Sequence, residues 1–80
     1  MNANDFKPGE MIVIKQGYGF WDLSVHPYGG SFHRATSAFG VRVVGPGGKY
    51  PERELIVDAA GRKLCVSVDA CHRLRKPFAE

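Results

Sequence analysis

Two groups of residues in this chain carry side chains that could do chemistry at a surface. The first is aromatic and basic: Tyr18, Phe20, Tyr28, Phe32, His33 and Arg34 all fall within residues 18–34. Flat rings give bases a platform to stack on, worth roughly 1–3 kcal/mol per base, and neighbouring cations hold phosphates. The same residue types dominate the energetics of protein–protein contacts. The competing use of these rings is internal, because a small domain needs its large side chains to enlarge a thin core. The second group is basic: His72, Arg73, Arg75 and Lys76, joined by Arg62 and Lys63. Closely spaced guanidinium groups suit phosphate contacts, and the plain alternative is a solvated tail beside Glu80.

Other chemistries are poorly provided for. His26, His33, Cys65, Cys71 and His72 are the good zinc ligands, but none has the close thiolate spacing that puts two sulfurs on one tetrahedral centre, so no metal and no cofactor is expected. Cys65 reads as a small packing residue. Cys71 precedes His72 directly, and sequence neighbours usually point different ways. Ser24, Ser31 and Ser37 have no obvious base and orienting acid. Gly45-Pro-Gly-Gly-Lys49 fails as a phosphate loop: Pro46 removes a cradling amide, and Tyr50 stands where a magnesium-binding hydroxyl belongs. Asp22, Glu52, Glu54 and Asp58 form no catalytic carboxylate pair. No catalytic residue is therefore named, and the chain is expected not to be an enzyme.

The elements that must position these groups follow from glycine punctuation and period-two alternation. Residues 10–16 read as a first strand with Ile12 and Ile14 on one face. Residues 20–26 read as a second, with Trp21, Leu23 and Val25 turned to the core and Phe20, Asp22, Ser24 and His26 away from it. Residues 27–37 form a long glycine-containing loop. A third strand covers 38–44, with Phe39, Val41 and Val43 inward and Arg42 outward. A fourth spans about 52–58. Asp58-Ala-Ala-Gly61 makes a hairpin turn, with Gly61 in the left-handed position after a type I turn. The fifth strand, 62–68, points Leu64, Val66 and Val68 inward. Asp69 then caps one helical turn over 70–73. Residues 1–7 form a loose lead-in from which Phe6 can tuck under the sheet, and residues 76–80 a tail.

Eighty residues make a single small domain, and 44% apolar with 24% charged residues is a globular composition. The fold class is all-β: an antiparallel barrel or tightly bent sheet of about five strands with one short helical turn near the end. The opening Pro8-Gly-Glu-Met-Ile-Val-Ile14 and the closing Leu64-Cys-Val-Ser-Val68, followed by a short turn and Leu74, resemble the first and last strands of SH3-like small barrels. The acidic loop and paired-aromatic proline groove of the eukaryotic peptide-binding form have no counterpart in order. The resemblance therefore implies a shape and not a function.

A net charge of +3 permits contact with nucleic acid or an acidic protein without requiring either. No run approaches the ~18 apolar residues of a membrane span. Two cysteines without a recognisable export signal fit a reducing cytoplasm. The expectation is a cytoplasmic binding module, monomeric or a small homo-oligomer, of the kind found as accessory proteins in bacteria or phage. Its working surface is Tyr18, Phe20, Tyr28, Phe32, His33 and Arg34, with Arg73, Arg75 and Lys76 added from the basic end. A protein partner is favoured, with single-stranded nucleic acid as the alternative. A third possibility is an enzyme formed by symmetric assembly. The plasmid-type dihydrofolate reductases resemble this chain in length and strand pattern, but their active-site residues have no match here.

Overall fold

The structure, a computed structural model, describes residues 2–24, 31–47 and 50–73. These form seven strands: β1 (Met11–Ile14), β2 (Gly19–Asp22), β3 (Ser31–Arg34), β4 (Phe39–Pro46), β5 (Glu54–Ala59), β6 (Arg62–Ser67) and β7 (Cys71–Arg73). All pair antiparallel in one sheet of order β3-β2-β6-β5-β4-β1-β7. The all-β antiparallel class is as the alternation implies. The sheet is not closed, however: among the described residues β3 and β7 each pair on one side only.

Two strands lie where none was expected. Ser31–Arg34, assigned above to the long loop, is β3, and it pairs with β2 from Asp22↔Ser31 to Gly19↔Arg34. Cys71–Arg73, assigned to a helical turn, is β7 on β1. The helical turn itself is a 3-10 turn over Val68–Ala70. It is capped by the Ser67 hydroxyl, which accepts from the Asp69 amide at 3.2 Å, so Asp69 is not the cap.

The alternating strands build the core as their patterns require. Ile12 and Ile14, Val41 and Val43, Leu55 and Val57, and Leu64 and Val66 are buried in one cluster with Val68, Ala70 and Cys71. The β5–β6 hairpin closes through a two-residue turn. Its register, Ala59↔Arg62, leaves Ala60 (φ 53°) and Gly61 (φ 90°) between the strands. Positive φ at both positions is the I′ geometry that matches strand twist, in place of the expected type I turn with a left-handed glycine. In β4 the register against β5 slips between Val43 and Gly45, a bulge that leaves Val44 on the surface.

The N-terminal segment is not loose. Asn2 and Asp5 form a capping box around a 3-10 turn at Ala3–Asp5. The Ala3 amide donates to Glu52 O at 2.9 Å, and Ala3 and Phe6 are fully buried.

The facing of β2 is the reverse of that expected. Trp21 is 45% exposed and Leu23 is also on the surface, whereas Asp22 is 4% exposed and Phe20 packs against the core. The register Phe20↔Val66 and Asp22↔Leu64 explains this, because it places Phe20 and Asp22 on the same face as two core residues of β6. A strand offset by one residue turns every side chain over.

Candidate functional site

Beside the β2–β3 hairpin the concave face opens into a groove of about 600 Å³. Phe20, Phe39, Ala59 and Leu64 give it an apolar lining, and Asp22, Ser31, His33, Arg34 and Arg62 supply the polar groups. Phe20 and Phe39 are half-buried and meet edge to face with ring centroids 5.6 Å apart. His33 stacks on Phe20 at 5.7 Å. Strand alternation puts Ser31 and His33 on one face, where Ser31 Oγ and His33 Nε2 share a hydrogen bond at 2.8 Å.

Asp22 lies opposite Ser31 in the ladder. Its Oδ2 accepts from Arg62 Nη1 at 2.7 Å, and its Oδ1 accepts from the Ser24 amide at 2.9 Å. Burial works to raise the Asp22 pKa. The Ser24 amide, the Arg62 guanidinium and, more weakly, His33 outweigh it, so the carboxyl sits below its ordinary value. Both oxygens are engaged, so Asp22 is occupied as an orienter of Arg62 rather than as an acid on His33. Ser31 thus has a base within reach, which the sequence reading missed although the i, i+2 spacing carries the signal. The orienting carboxylate of a triad is committed elsewhere.

The expected surface is split by the structure. Phe20, His33 and Arg34 line the groove. Phe32, 52% exposed, lies on the opposite face with its ring 5.1 Å from Trp21, edge to face. That ring sits where a side chain on Gly19 would have to go, so Gly19 and Phe32 require each other. Tyr18 is exposed in the turn before β2, with Lys15 Nζ 5.2 Å from its ring centroid. Tyr28, Arg75 and Lys76 lie outside the described residues, as do His26 and Leu74.

Arg73 is in β7, at the other edge of the sheet. Its Nε donates to Glu10 Oε2 at 2.8 Å, and its guanidinium covers the Phe6 ring at 4.9 Å. The hydrogen bond from the Lys7 amide does most to hold the Glu10 carboxyl below its usual pKa; burial works against it, and the ion pair with Arg73 adds to the lowering. Arg42 donates to Gly9 O at 3.0 Å, and Arg34 to Gly17 O at 3.2 Å. The arginines therefore serve opposite ends of β1: Arg42 and Arg73 before its start, Arg34 beyond its finish. Arg62, grouped above with the basic end, belongs to the groove.

The thiols are packing groups. Cys65 faces Trp21 on one side and Ile56 on the other in the ladder and is buried. Burial, and secondarily Glu54, raises its pKa. Burial pushes Cys71 up to about 11, and its Sγ donates to Ser67 O at 3.4 Å. His72 is exposed while Cys71 is buried, so the two point to opposite faces. Among the described residues no three His, Cys, Asp or Glu side chains converge on a metal position. No described helix is long and apolar enough to cross a membrane.

Comparison with known protein families, with characterised proteins and with solved structures gave no match for this chain.

Proposed function

We propose that this protein is a non-enzymatic binding module that grips an extended segment of a partner protein in the groove beside the β2–β3 hairpin. One observation carries the reading: a groove that sets an apolar floor of Phe20, Phe39, Ala59 and Leu64 beside polar side chains lies against a strand, β3, whose outer side has no neighbour among the described residues. Such an edge accepts a further strand through main-chain hydrogen bonds, and the adjoining groove selects side chains. The curled, open sheet is compatible with a small barrel-like fold, and we read it as SH3-like. The buried free thiols Cys65 and Cys71 fit a cytoplasmic setting.

Single-stranded nucleic acid is the second reading, favoured by the exposed rings of Tyr18 and Phe32. It is weaker because, among the described residues, Arg42 and Arg73 are tied to Gly9 and Glu10, at the other end of β1 from Arg34. The test is amide mapping by two-dimensional NMR with peptides selected from a random heptapeptide library. The expected result is shifts at 31–34, Phe39 and Ala59. Shifts confined to Tyr18 and Phe32 on adding oligothymidylate, fading with salt, would favour the second reading.

A further inference from the structure

We infer that the groove selects a carboxylate: its occupant is an extended peptide segment that sets an acidic side chain on Arg62 and an apolar one over Phe20 and Phe39. The inference rests on the groove reading above and specifies its ligand.

Arg62 carries the argument. Its guanidinium has five N–H donors in a fixed fork, and only Nη1 is committed, to Asp22. The side chain is 61% exposed although its partner is almost fully buried. A carboxylate below therefore anchors one corner of the fork while the side chain lines the groove, and planar pairing with a second carboxylate is what that fork does best. The charge of Asp22 is offset by its ion pair with Arg62. Among the described residues Asp22 is the one acidic side chain lining the groove, against two arginines, so the balance there is positive. His33 adds a ring whose Nε2 is held by Ser31, leaving Nδ1 for a ligand.

The apolar half sits next to this charge. Along an extended peptide, side chains two residues apart share one face about 7 Å from each other. An acid at one position and an aliphatic or aromatic residue two positions away would then meet Arg62 and the Phe20–Phe39 pair together. Neither element suffices alone, since an exposed ion pair is worth at most about 1 kcal/mol. The apolar contact supplies affinity and Arg62 supplies selection.

The experiment is a display selection from a random heptapeptide library on the full chain, followed by titration of one enriched peptide and its Glu→Gln or Asp→Asn counterpart. Enrichment of Asp or Glu two positions from an apolar residue is expected, with amide shifts in the groove and about a fivefold loss of affinity for the amide counterpart. The double variant Asp22→Asn/Arg62→Gln, which removes both charges of the pair together, should lose a similar factor while keeping a dispersed spectrum. Should that variant unfold, the amide counterpart on the wild-type chain and Arg62→Lys, which keeps charge without the fork, decide the matter. Enriched peptides that lack an acid but still map to the groove overturn the carboxylate inference and leave the groove reading standing. Enriched peptides that map elsewhere, or no enrichment at all, overturn both.

Discussion

Around β1, β7 and the Val41–Val43 part of β4 the large apolar side chains on the core side are covered. Phe6 is 2% exposed, closed over by Arg73, which is itself held by Glu10. Around β2 and β3 the rings are left partly open: Phe20 and Phe39 are half-buried, and Trp21 and Phe32 pair on the outside. Both regions use an arginine–carboxylate pair, but in opposite ways. At the first, Arg73 lies across an aromatic ring and finishes the core. At the second, the carboxylate is inside and the arginine projects outward. An end that has finished its packing has nothing left to bind with. An end that keeps apolar surface in contact with water, beside a preset cation, keeps that capacity and gives up local stability.

The contrast can be broken by mutation, most sharply at the two phenylalanine sites. Phe6→Ala should destabilise by about 3–5 kcal/mol in urea unfolding, the cost of emptying a closed site. Phe39→Ala, already partly solvated, should cost roughly half as much. Equal costs would mean that the groove is packed shut. Trp21→Ala should cost about 2 kcal/mol, because its surface is only about half removed from water, and the chain should stay folded. Native tryptophan emission should be accessible to acrylamide, and a shielded, blue-shifted indole would reverse the facing of β2.

Acid should weaken both ends together. Asp22 and Glu10 have folded-state pKa values below their ordinary 3.8 and 4.5. Their contribution is therefore complete above those ordinary values and lost as pH falls through the lowered ones. Asp22→Asn and Glu10→Gln should each flatten thermal stability against pH below about 4.5, and an unchanged slope would detach the pairs from folding. The smallest stability effect belongs to Arg73→Ala, about 1 kcal/mol or less for a partly exposed pair, read from the same urea curves. With the fold intact, Cys71, its pKa pushed up to about 11, should react with a disulfide reagent at pH 8 only as fast as the chain opens.

At the sealed end the buried positions of β1 and β4 were legible in the sequence, but β7 and the tied-down N-terminal turn were not. At the open end the facing of β2 and the strand β3 were missed. Ile12 with Ile14, and Val41 with Val43, stand two residues apart and are buried on one face, although β1 is apolar at all four positions. In β2 the same rule chose the wrong face. Trp21 and Leu23 outweigh Phe20 and Asp22 in apolar size, and nothing local announces that Asp22 will be satisfied by Arg62, forty residues away in the chain. Ser31-Phe-His-Arg34 follows two glycines and reads as loop. It becomes a strand because β2 offers it a ladder and Gly19 leaves room for the Phe32 ring. Of the groove, Phe20, His33 and Arg34 were foreseen. Arg62 joins it from β6, the direct neighbour of β2, and Phe39 from β4, three strands away in the sheet.

The open edges have one more consequence, for how copies of this chain behave when crowded. An unpaired strand edge is a template for identical chains, and stacking edge upon edge is the first step toward fibrils. Here one edge carries Arg34 and the other Arg73, both exposed. Approach of two like edges, or of one edge to the other, brings guanidinium groups together before any ladder forms. Charge at both described edges disfavours such stacking, and if β3 takes up a partner strand as proposed, the same edge would have to admit one strand while discouraging its own copies.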